Sequence, residues 1–272
     1  MKEFKVKNHE SSYLPEGKEW KMVWNDEFDG TELDRTKWDY RLCMMGRRHE
    51  AWTDKGVALD GKGNCVFTLI EEDGRPVSSQ LQTGYNYMDE PVVKTKFGEE
   101  AVQWNIGKLK ESKYLHSRGY YECRCKLQSK EGWWSAFWLQ SPVIGASLDP
   151  ADTGVEIDIM ESFHPGEVHT HNLFTGGYGL DMQRRHVGGE WYTDCEEYHR
   201  FGLLWDETGY TFFVDGKEDG HISEFITARP EFILITTEPK GYRHDDHTPT
   251  AEARTAIGDQ FIVDYVRVFE EV

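Results

Sequence analysis

The sequence predicts an all-β fold built from two stacked antiparallel sheets. Short runs of aromatic and β-branched residues recur along all 272 residues, and most are bounded by Gly, Asp or Pro. Long helical periodicity is almost absent, and only residues 222–227 could form a turn or two of helix. Because each sheet must bury one face, many strands without helices imply two sheets packed against each other. Aromatic residues make up 14% of the chain, which is enough for a sizeable core.

Strand signals extend over the whole chain, and no repeat, low-complexity tract or Pro/Ser-rich linker divides it. Since all-β sandwiches often reach about 200–250 residues, we expect a single domain over residues 1–272. Asp215 and Gly216 follow a β-branched and aromatic run and predict a type I′ hairpin turn, because both tolerate a positive φ. The predicted strands are residues 22–24, 64–69, 80–83, 119–127, 135–140, 155–161, 168–174, 201–205, 210–214, 232–236 and 261–269.

Composition narrows the classes of partner. The chain has 31 basic and 49 acidic side chains and a formal net charge of -18, which argues against nucleic acid or an anionic membrane surface as a partner. No run approaches the roughly 18 consecutive apolar residues of a membrane span, and residues 1–17 lack the apolar segment of a secretory signal. The five cysteines are an odd number without zinc-type spacing, so no disulfide framework is expected. Cys123 and Cys125 alternate with charged residues and are predicted to face the core.

Two stretches between predicted strands are long, at residues 38–63 and 84–118, and connections of this length are usually functional or disordered. They carry several aromatic residues, including Trp52. Aromatic rings on loops above a sheet face suit a groove in which sugar rings stack. Trp52 is therefore a candidate substrate-binding residue.

Three acids lie close together on one predicted strand. Glu156 and Asp158 are two residues apart, so they face the same side of the strand, while the intervening Ile faces the core. Strict alternation would turn Glu161 to the opposite face, into apolar packing. One extra residue near Ile159 and Met160, forming a β-bulge, would restore it, so the sequence predicts a bulge at this point.

The spacing of these acids suits a glycosidase that retains anomeric configuration. Four strand steps separate the two glutamate Cα atoms by roughly 13 Å. Side chains that lean toward each other would bring the carboxyl groups to about 5–6 Å, a separation typical of retaining rather than inverting glycosidases. Like charges so close repel, so at least one proton is expected to be held near neutral pH. Spacing alone leaves open which glutamate attacks and which transfers the proton.

The run from Glu156 to Glu161 resembles the E-x-D-x-x-E signature of glycoside hydrolase family 16 in its bulge-containing form. This family includes laminarinases, agarases, porphyranases and carrageenases. Other stretches that resemble strands of the family cover nearly the whole chain: residues 24–30, 33–38, 119–124, 134–139, 198–205, 214–217 and 263–268.

The resemblance implies a β-jelly-roll sandwich with an open substrate groove on its concave sheet. It implies endo-acting, retaining hydrolysis of a polysaccharide. By resemblance Glu156 is the nucleophile, Glu161 is the general acid/base and Asp158 assists them. No cofactor is required for this chemistry, and we expect a monomer.

The resemblance also implies binding residues around the catalytic strand. Trp138 is expected beneath the sugar at the centre of the groove, and Trp133 and Trp134 lie in the same stretch, where Trp134 could equally be core. The strand after the catalytic one offers a histidine to the site in the family, and here His169 and His171 are predicted to share one face.

Family members often hold a structural Ca²⁺ on the convex side, near the first and last strands. Glu27 and Asp264 lie in the matching segments and are the candidate metal ligands.

The substrate is expected to be either a red-algal galactan of the agarose or porphyran type or a β-1,3-glucan of the laminarin type. Laminarinases commonly carry a Trp-Pro segment before the catalytic strand, and residues 148–153 differ from it. Arg47 and Arg48 lie in a stretch that forms a groove wall in the family, and arginine can grip a sulfate through two hydrogen bonds. These observations keep both substrate classes open.

Two other functions fit parts of the sequence. A non-catalytic carbohydrate-binding lectin would need the groove and its aromatic residues but not both glutamates. A zinc hydrolase using residues 244–247 is disfavoured, because no glutamate base lies at a helical offset. Since polysaccharide does not cross a membrane unaided, we expect an extracellular, periplasmic or cell-surface enzyme whose secretion signal is absent from this sequence.

Overall fold

A computed structural model describes residues 1–89, 110–176, 181–192, 194–244 and 246–272, and for residues 168–170 and 190–192 the description is confined to the backbone. Strands account for most of the regular structure. In chain order the elements are β1 (Lys2–Phe4), β2 (Ser12–Leu14), β3 (Trp20–Asp26), β4 (Asp39–Tyr40), β5 (Cys43–Met44), β6 (Arg47–Arg48), β7 (Val57–Leu59), β8 (Cys65–Thr68), β9 (Ile70–Glu72), β10 (Arg75–Val77), β11 (Gln80–Gln82), β12 (Gly119–Lys126), β13 (Trp133–Gln140), α1 (Pro150–Thr153), β14 (Glu156–His164), β15 (Glu167–Thr175), β16 (Gln183–Tyr192), β17 (His199–Asp206), β18 (Gly209–Val214), β19 (Lys217–Ile222), β20 (Phe232–Pro239), α2 (Ala251–Thr255) and β21 (Gln260–Glu271).

Two large antiparallel sheets form the body of the described part of the chain. The front sheet has the order β16-β15-β14-β13-β20-β11-β4. The back sheet has the order β19-β18-β17-β12-β21-β8-β7, and β3 also pairs with β21. Neighbours such as β13 and β20 are far apart in sequence, as in a sandwich whose connections cross from one sheet to the other.

The core lies between these sheets and joins residues from almost the whole chain. Ile157, Ile159 and Leu173 of the front sheet belong to the same buried cluster as Cys123 and Phe261 of the back sheet. All five are fully buried. Removing their apolar surface from water is the main force that holds the two sheets together.

Short helix α1 leads the chain into β14. Asp149 caps it, because its side chain accepts a hydrogen bond from the backbone N–H of Ala151, and Pro150 occupies its first turn, where no backbone donor is needed. The helix ends at Gly154, whose φ of 78° is favourable only for glycine. This turn fixes the point at which β14 begins.

The sequence-predicted strands are all present, and the structure adds shorter or more polar ones. The type I′ turn is also supported, since Asp215 and Gly216 have φ of 47° and 74° between β18 and β19. The helical turn expected at residues 222–227 is wrong: Ile222 ends β19, and the residues after it form bends. Phe225 packs against the core with a φ of 55°, which a right-handed helix does not allow.

None of the helices in the described ranges is long and apolar enough to cross a membrane. Cys123 and Cys125 are fully buried on β12, as expected.

Candidate active site

The predicted bulge is present in β14. In the register between β13 and β14, Phe137 pairs with Met160 and Trp138 pairs with Asp158, which leaves Ile159 without a partner on β13. Ile159 and Met160 are consecutive and both fully buried in the core between the sheets. The extra residue therefore turns Glu161 back to the outer face of the front sheet.

All three acids line one cleft on this outer face. The cleft crosses four adjacent strands, β14, β13, β20 and β11, and receives further side chains from the segments that flank them. Its lining residues are Arg41, Met44, Gln80, Trp134, Ala136, Trp138, Glu156, Asp158, Glu161, Phe163, Thr236 and Arg243.

Glu156 is held by a chain of amide side chains. Gln140 Nε2 donates a hydrogen bond to Glu156 Oε2 over 2.6 Å, and Asn86 Nδ2 donates to Gln140 Oε1 over 2.6 Å. Burial raises the pKa of Glu156, while the Gln140 donor and the charges of Arg41 and Arg243 oppose that rise. The donors thus favour the ionised carboxylate that a nucleophile requires.

Asp158 lies between the two glutamates and is only 4% exposed. Burial, followed by the charges of Glu161 and Glu156, raises its pKa well above the usual range. Asp158 therefore keeps its proton to a higher pH than an exposed aspartate does. A neutral acid in this position reduces the repulsion among the three carboxyl groups.

Glu161 has the properties of a proton donor. Burial raises its pKa to about 7, the nearby charge of Glu156 adds to the rise, and a hydrogen bond from Asn172 opposes it. An acid with this pKa can give a proton near neutral pH and take one back in a later step. The site thus contains Glu156, whose ionised form is stabilised by hydrogen-bond donors, and Glu161, an acid whose pKa is raised. Glycosidases use a pair of carboxyl groups of this kind.

Aromatic rings and guanidinium groups form the rest of the cleft. Trp138 is 7% exposed, and its indole Nε1 donates to Thr236 Oγ1 over 2.9 Å. The Arg41 guanidinium lies 5.3 Å from the centroid of the Trp138 ring, and that of Arg243 lies 5.1 Å from the Trp134 ring. Trp138 thus lies in the cleft, as the resemblance implied, and Trp134, which the sequence left open between cleft and core, lies in the cleft too.

Trp52 supports the cleft but does not line it, which corrects the prediction that it contacts sugar. The side chain is 2% exposed, and its segment is held by a bridge to Ser78. Its Nε1 donates to Glu238 Oε2 over 3.0 Å, and Glu238 also accepts both hydrogen bonds of a bidentate pair with Arg243. Trp52 thereby helps to fix Arg243 at the cleft.

Trp133 and His171 face the interior, so their predicted contacts with substrate are wrong. Trp133 is fully buried and donates from Nε1 to Asp259 Oδ2 over 2.9 Å, because it alternates with Trp134. His171 is 1% exposed, stacks on Phe212 of the back sheet at 4.4 Å between ring centroids, and lies with Nδ1 2.6 Å from the backbone oxygen of Ile159.

A shift of register explains the placement of His171. The pairing of β15 with β16 is irregular between His169 and His171, so the two histidines are not simply alternate residues of a regular strand. The backbone of His169 pairs with that of Glu161, and the His169 side chain lies outside the described residues. Its contact with substrate stays a prediction.

Arg47 and Arg48 are exposed on β6, next to β5, whose Met44 lines the cleft. Neither arginine is among the lining residues of the cleft. Their role in binding stays a prediction.

The proposed calcium ligands are neutralised by arginines. Both carboxylate oxygens of Glu27 accept hydrogen bonds from the fully buried Arg267, at 2.9 Å and 2.7 Å. Asp264 Oδ2 accepts a hydrogen bond from Arg124 over 2.6 Å. A guanidinium thus holds each carboxyl group, so these two side chains do not fit a shared Ca²⁺ site. In the part of the chain that the structure describes, no group of three or more His, Cys, Asp or Glu side chains could hold a metal ion.

The sequence analysis did not identify several residues of the site. Strand alternation could have identified Gln140, because Gln140 is two residues after Trp138 on the same face of the strand. Asn172 and Arg184 lie on β15 and β16, where Arg184 Nε donates to Asn172 Oδ1 over 3.0 Å. Arg41 and Arg243 come from loops distant in sequence, and no local pattern marks them.

Comparisons with known proteins identify the family to which the chain belongs. The model of the family described as glycosyl hydrolases family 16 matches residues 52–225. The chain is 27% identical over 274 residues to glucan endo-1,3-beta-glucosidase A1 of Niallia circulans, an alignment that covers 92% of this chain and 38% of that protein. It is 28% identical over 186 residues to beta-porphyranase D of Zobellia galactanivorans, covering 66% of this chain and 38% of that protein.

The chain therefore spans about two fifths of the length of these two relatives. Among solved structures, the laminarinase from Rhodothermus marinus is similar, with a TM-score of 0.68 and 22% identity over 94% of this chain and 99% of that chain. This likeness confirms the β-jelly-roll sandwich. Because the family model matches more than half of the sequence, including the strand with the three acids, the chain belongs to glycosyl hydrolases family 16.

Proposed function

We propose that the protein is an endo-acting, retaining hydrolase of a β-linked polysaccharide. The observation that carries this proposal is the bulge at Ile159, which brings Glu161 into the same cleft as Glu156 and Asp158. Membership of the family supports it. A protein that only bound sugar would gain nothing from three carboxyl groups that repel one another.

In the proposed mechanism, Glu156 Oε attacks the anomeric carbon as the glycosidic bond breaks, and Glu161 gives its proton to the departing oxygen. The product is a glycosyl ester on Glu156 and an ionised Glu161. Glu161 then takes a proton from a water molecule, whose oxygen attacks the anomeric carbon and releases Glu156. Two inversions give net retention, and Glu161 ends protonated as it began.

The extent of the cleft supports endo action. Its lining residues span four neighbouring strands, which corresponds to about 14 Å across the sheet at about 4.8 Å per strand. A second group of residues beyond it, including Gln82, Tyr85 and Lys110, lines a depression at the β11 and β4 edge of the same sheet. A chain of several sugars can lie across such a face.

The substrate class is either a β-1,3-glucan or a red-algal galactan. The names of the Niallia circulans relative and of the Rhodothermus marinus structure favour the glucan. The porphyranase relative favours the galactan, as do the guanidinium groups of Arg41 and Arg243 in the cleft, since sulfate is a good partner for arginine. A lectin is the alternative from another class, and no observation favours it.

One set of assays tests the proposal. Laminarin, mixed-linkage glucan, agarose, porphyran and carrageenan are digested side by side, the products are separated by length, and their anomeric configuration is followed by NMR. We expect release of intermediate-length oligosaccharides of retained configuration from at least one substrate. Glu156→Gln and Glu161→Gln should each lower kcat about 10²–10⁴-fold. Glu218→Gln, an exposed glutamate on β19, is the matched control and should leave kcat unchanged.

Binding without cleavage, unaffected by either glutamate substitution, would support the lectin instead. We further infer an extracellular, periplasmic or cell-surface location, because the polymer cannot enter the cell. Fractionation of cells that produce the protein tests that location.

A further inference from the structure

A buried carboxyl group lies directly behind the candidate nucleophile. Glu231 precedes β20 and is fully buried. Its Oε1 accepts a hydrogen bond from the backbone N–H of Val155 over 2.8 Å, and Val155 is the residue before Glu156. Its Oε2 has no hydrogen-bond partner among the described residues. The mechanism proposed above makes no use of Glu231.

The backbone of Glu231 is itself fixed. Its N–H donates to the backbone oxygen of His116 over 2.9 Å, and the N–H of His116 donates to the backbone oxygen of Glu231 over 3.1 Å. Because both backbone groups form hydrogen bonds, the backbone that carries the Glu231 side chain is held in place.

The backbone just before β14 passes close to the Glu231 carboxyl group at Gly154. A Cβ placed on Gly154 would lie 3.0 Å from Glu231 Oε1 and 2.4 Å from Ser141 Cβ. Glycine at this position, with its positive φ, therefore lets the backbone approach Glu231 closely. This close approach sets the path of the chain two residues before the candidate nucleophile.

Three ionisable side chains face Glu231, and none of them is a cation: Glu156 on β14, Tyr121 on β12 and Tyr210 on β18. Burial raises the pKa of Glu231 well above its usual range, the charge of Glu156 adds to the rise, and the hydrogen bond from the Val155 N–H opposes it. A neutral carboxyl group still has a carbonyl oxygen to accept the Val155 N–H.

We propose that Glu231 is a positioning residue for Glu156: by holding the N–H of Val155 it fixes the start of β14, and so keeps the Glu156 carboxylate against Gln140. This inference rests on the proposed function of Glu156 as nucleophile. Glu231 acts without touching substrate, as the hydrogen-bond acceptor of the Val155 N–H.

Three substitutions test this role with the intact chain. Glu231→Gln keeps an uncharged acceptor of the same length, so kcat should stay within about twofold of the unmodified protein. Glu231→Met removes the acceptor, and because a misplacement of about 1 Å can cost 10²-fold in rate, kcat should fall about 10–100-fold with little change in KM. Glu231→Asp shortens the reach and should give an intermediate kcat.

The acid limb of the pH profile of kcat/KM is the readout that separates positioning from mere stability. The hydrogen bond from Gln140 lowers the pKa of Glu156. If Glu231→Met weakens that hydrogen bond, the pKa of Glu156 rises and the acid limb should move to higher pH. The limb should stay in place in Glu231→Gln.

Glu122→Met is the matched control. Glu122 is also a buried glutamate that accepts a backbone N–H, from Tyr13 over 3.1 Å, but it lies on the back sheet. Its loss should lower the melting temperature without changing kcat or the acid limb.

The proposal is overturned if Glu231→Met behaves like Glu122→Met, or if Glu231→Gln loses as much kcat as Glu231→Met. If Glu231→Met does not fold, an unchanged kcat and acid limb in Glu231→Asp overturns it. Failure of the proposed function itself is recognised separately, because Glu156→Gln would then retain full activity.

Discussion

Asn172 and Glu161 meet across the pair of strands β15 and β14, where Asn172 Nδ2 donates a hydrogen bond to Glu161 Oε2 over 2.9 Å. The Asn172 amide is oriented in turn by Arg184, which donates to its oxygen over 3.0 Å. A donor aimed at a carboxyl oxygen stabilises the ionised form. The pair thus limits how far burial can raise the pKa of Glu161, and that pKa decides the pH range of activity.

The pH profile of the unmodified protein should be bell-shaped. Activity requires ionised Glu156 and protonated Glu161, so it should rise as Glu156 loses its proton and fall as Glu161 does. Because the pKa of Glu161 is raised to about 7, we expect the basic limb of kcat/KM near that pH. Initial rates on a soluble polysaccharide across the pH range measure both limbs. A profile without a basic limb would contradict the role of Glu161.

Substitution of Asn172 by alanine should move the basic limb to higher pH. Loss of the donor removes the interaction that lowers the pKa of Glu161, so the proton is held longer as pH rises. The net worth of a hydrogen bond to a charged group, about 1.5–3 kcal/mol, corresponds to a shift of roughly one to two pH units. Thr211→Ala, on the back sheet, is the control that should leave the limb in place. An unmoved limb in Asn172→Ala would show that this hydrogen bond does not tune the acid.

Deletion of Ile159 should keep Glu161 in the cleft. The deletion leaves four steps between Glu156 and Glu161, and regular alternation over an even number of steps places both side chains on the same face without a bulge, so hydrolysis should persist. Ile159→Val keeps the bulge and should cost only about 0.5–1.5 kcal/mol of unfolding free energy, with kcat nearly unchanged. Activity and urea unfolding of both variants provide the comparison. A folded deletion variant without activity would contradict this explanation of how Glu161 reaches the cleft.

Trp138 and Trp133 should respond differently to the same substitution. Trp138→Ala removes an aromatic surface of the cleft and is expected to raise KM about two- to tenfold, since such contacts contribute about 0.5–1.5 kcal/mol. Trp133→Ala empties part of the core and should cost about 3–5 kcal/mol of stability. Melting curves and KM values of the two variants separate these effects. Equal KM changes at temperatures where both are folded would contradict the assignment of Trp138 to the cleft.

Arg267→Met should destabilise the fold strongly. The substitution leaves the buried carboxylate of Glu27 without its bidentate partner, which costs about 3–5 kcal/mol in comparable sites. The double variant with Glu27→Gln should recover part of the loss, because no charge is then left buried and unpaired. Urea unfolding measures each step. Since Arg267 already neutralises Glu27, a metal chelator is expected to leave the melting temperature of the unmodified protein unchanged, and a large drop would show that a cation is bound elsewhere.

The sequence by itself determined the features that depend on local periodicity. Glu156 and Asp158 had to share a face because side chains alternate along a strand, and the same rule required a bulge before Glu161. Asp215 and Gly216 identified a hairpin because few residue pairs tolerate two positive φ angles. Polar strands such as β16 and β19 gave no such signal, since they are stable only when paired with their neighbours.

Only the tertiary structure decided which side chains surround the acids. His171 faces the core because the register of β15 is irregular, and Trp52 became a support because its loop is tied to Ser78. Arg243 and Glu231 reach the site from segments at least 70 residues after the acids, brought there by the pairing of β13 with β20. Pairing between distant strands is set by the burial of the whole core, a property of the assembled sheets that no short stretch of sequence contains.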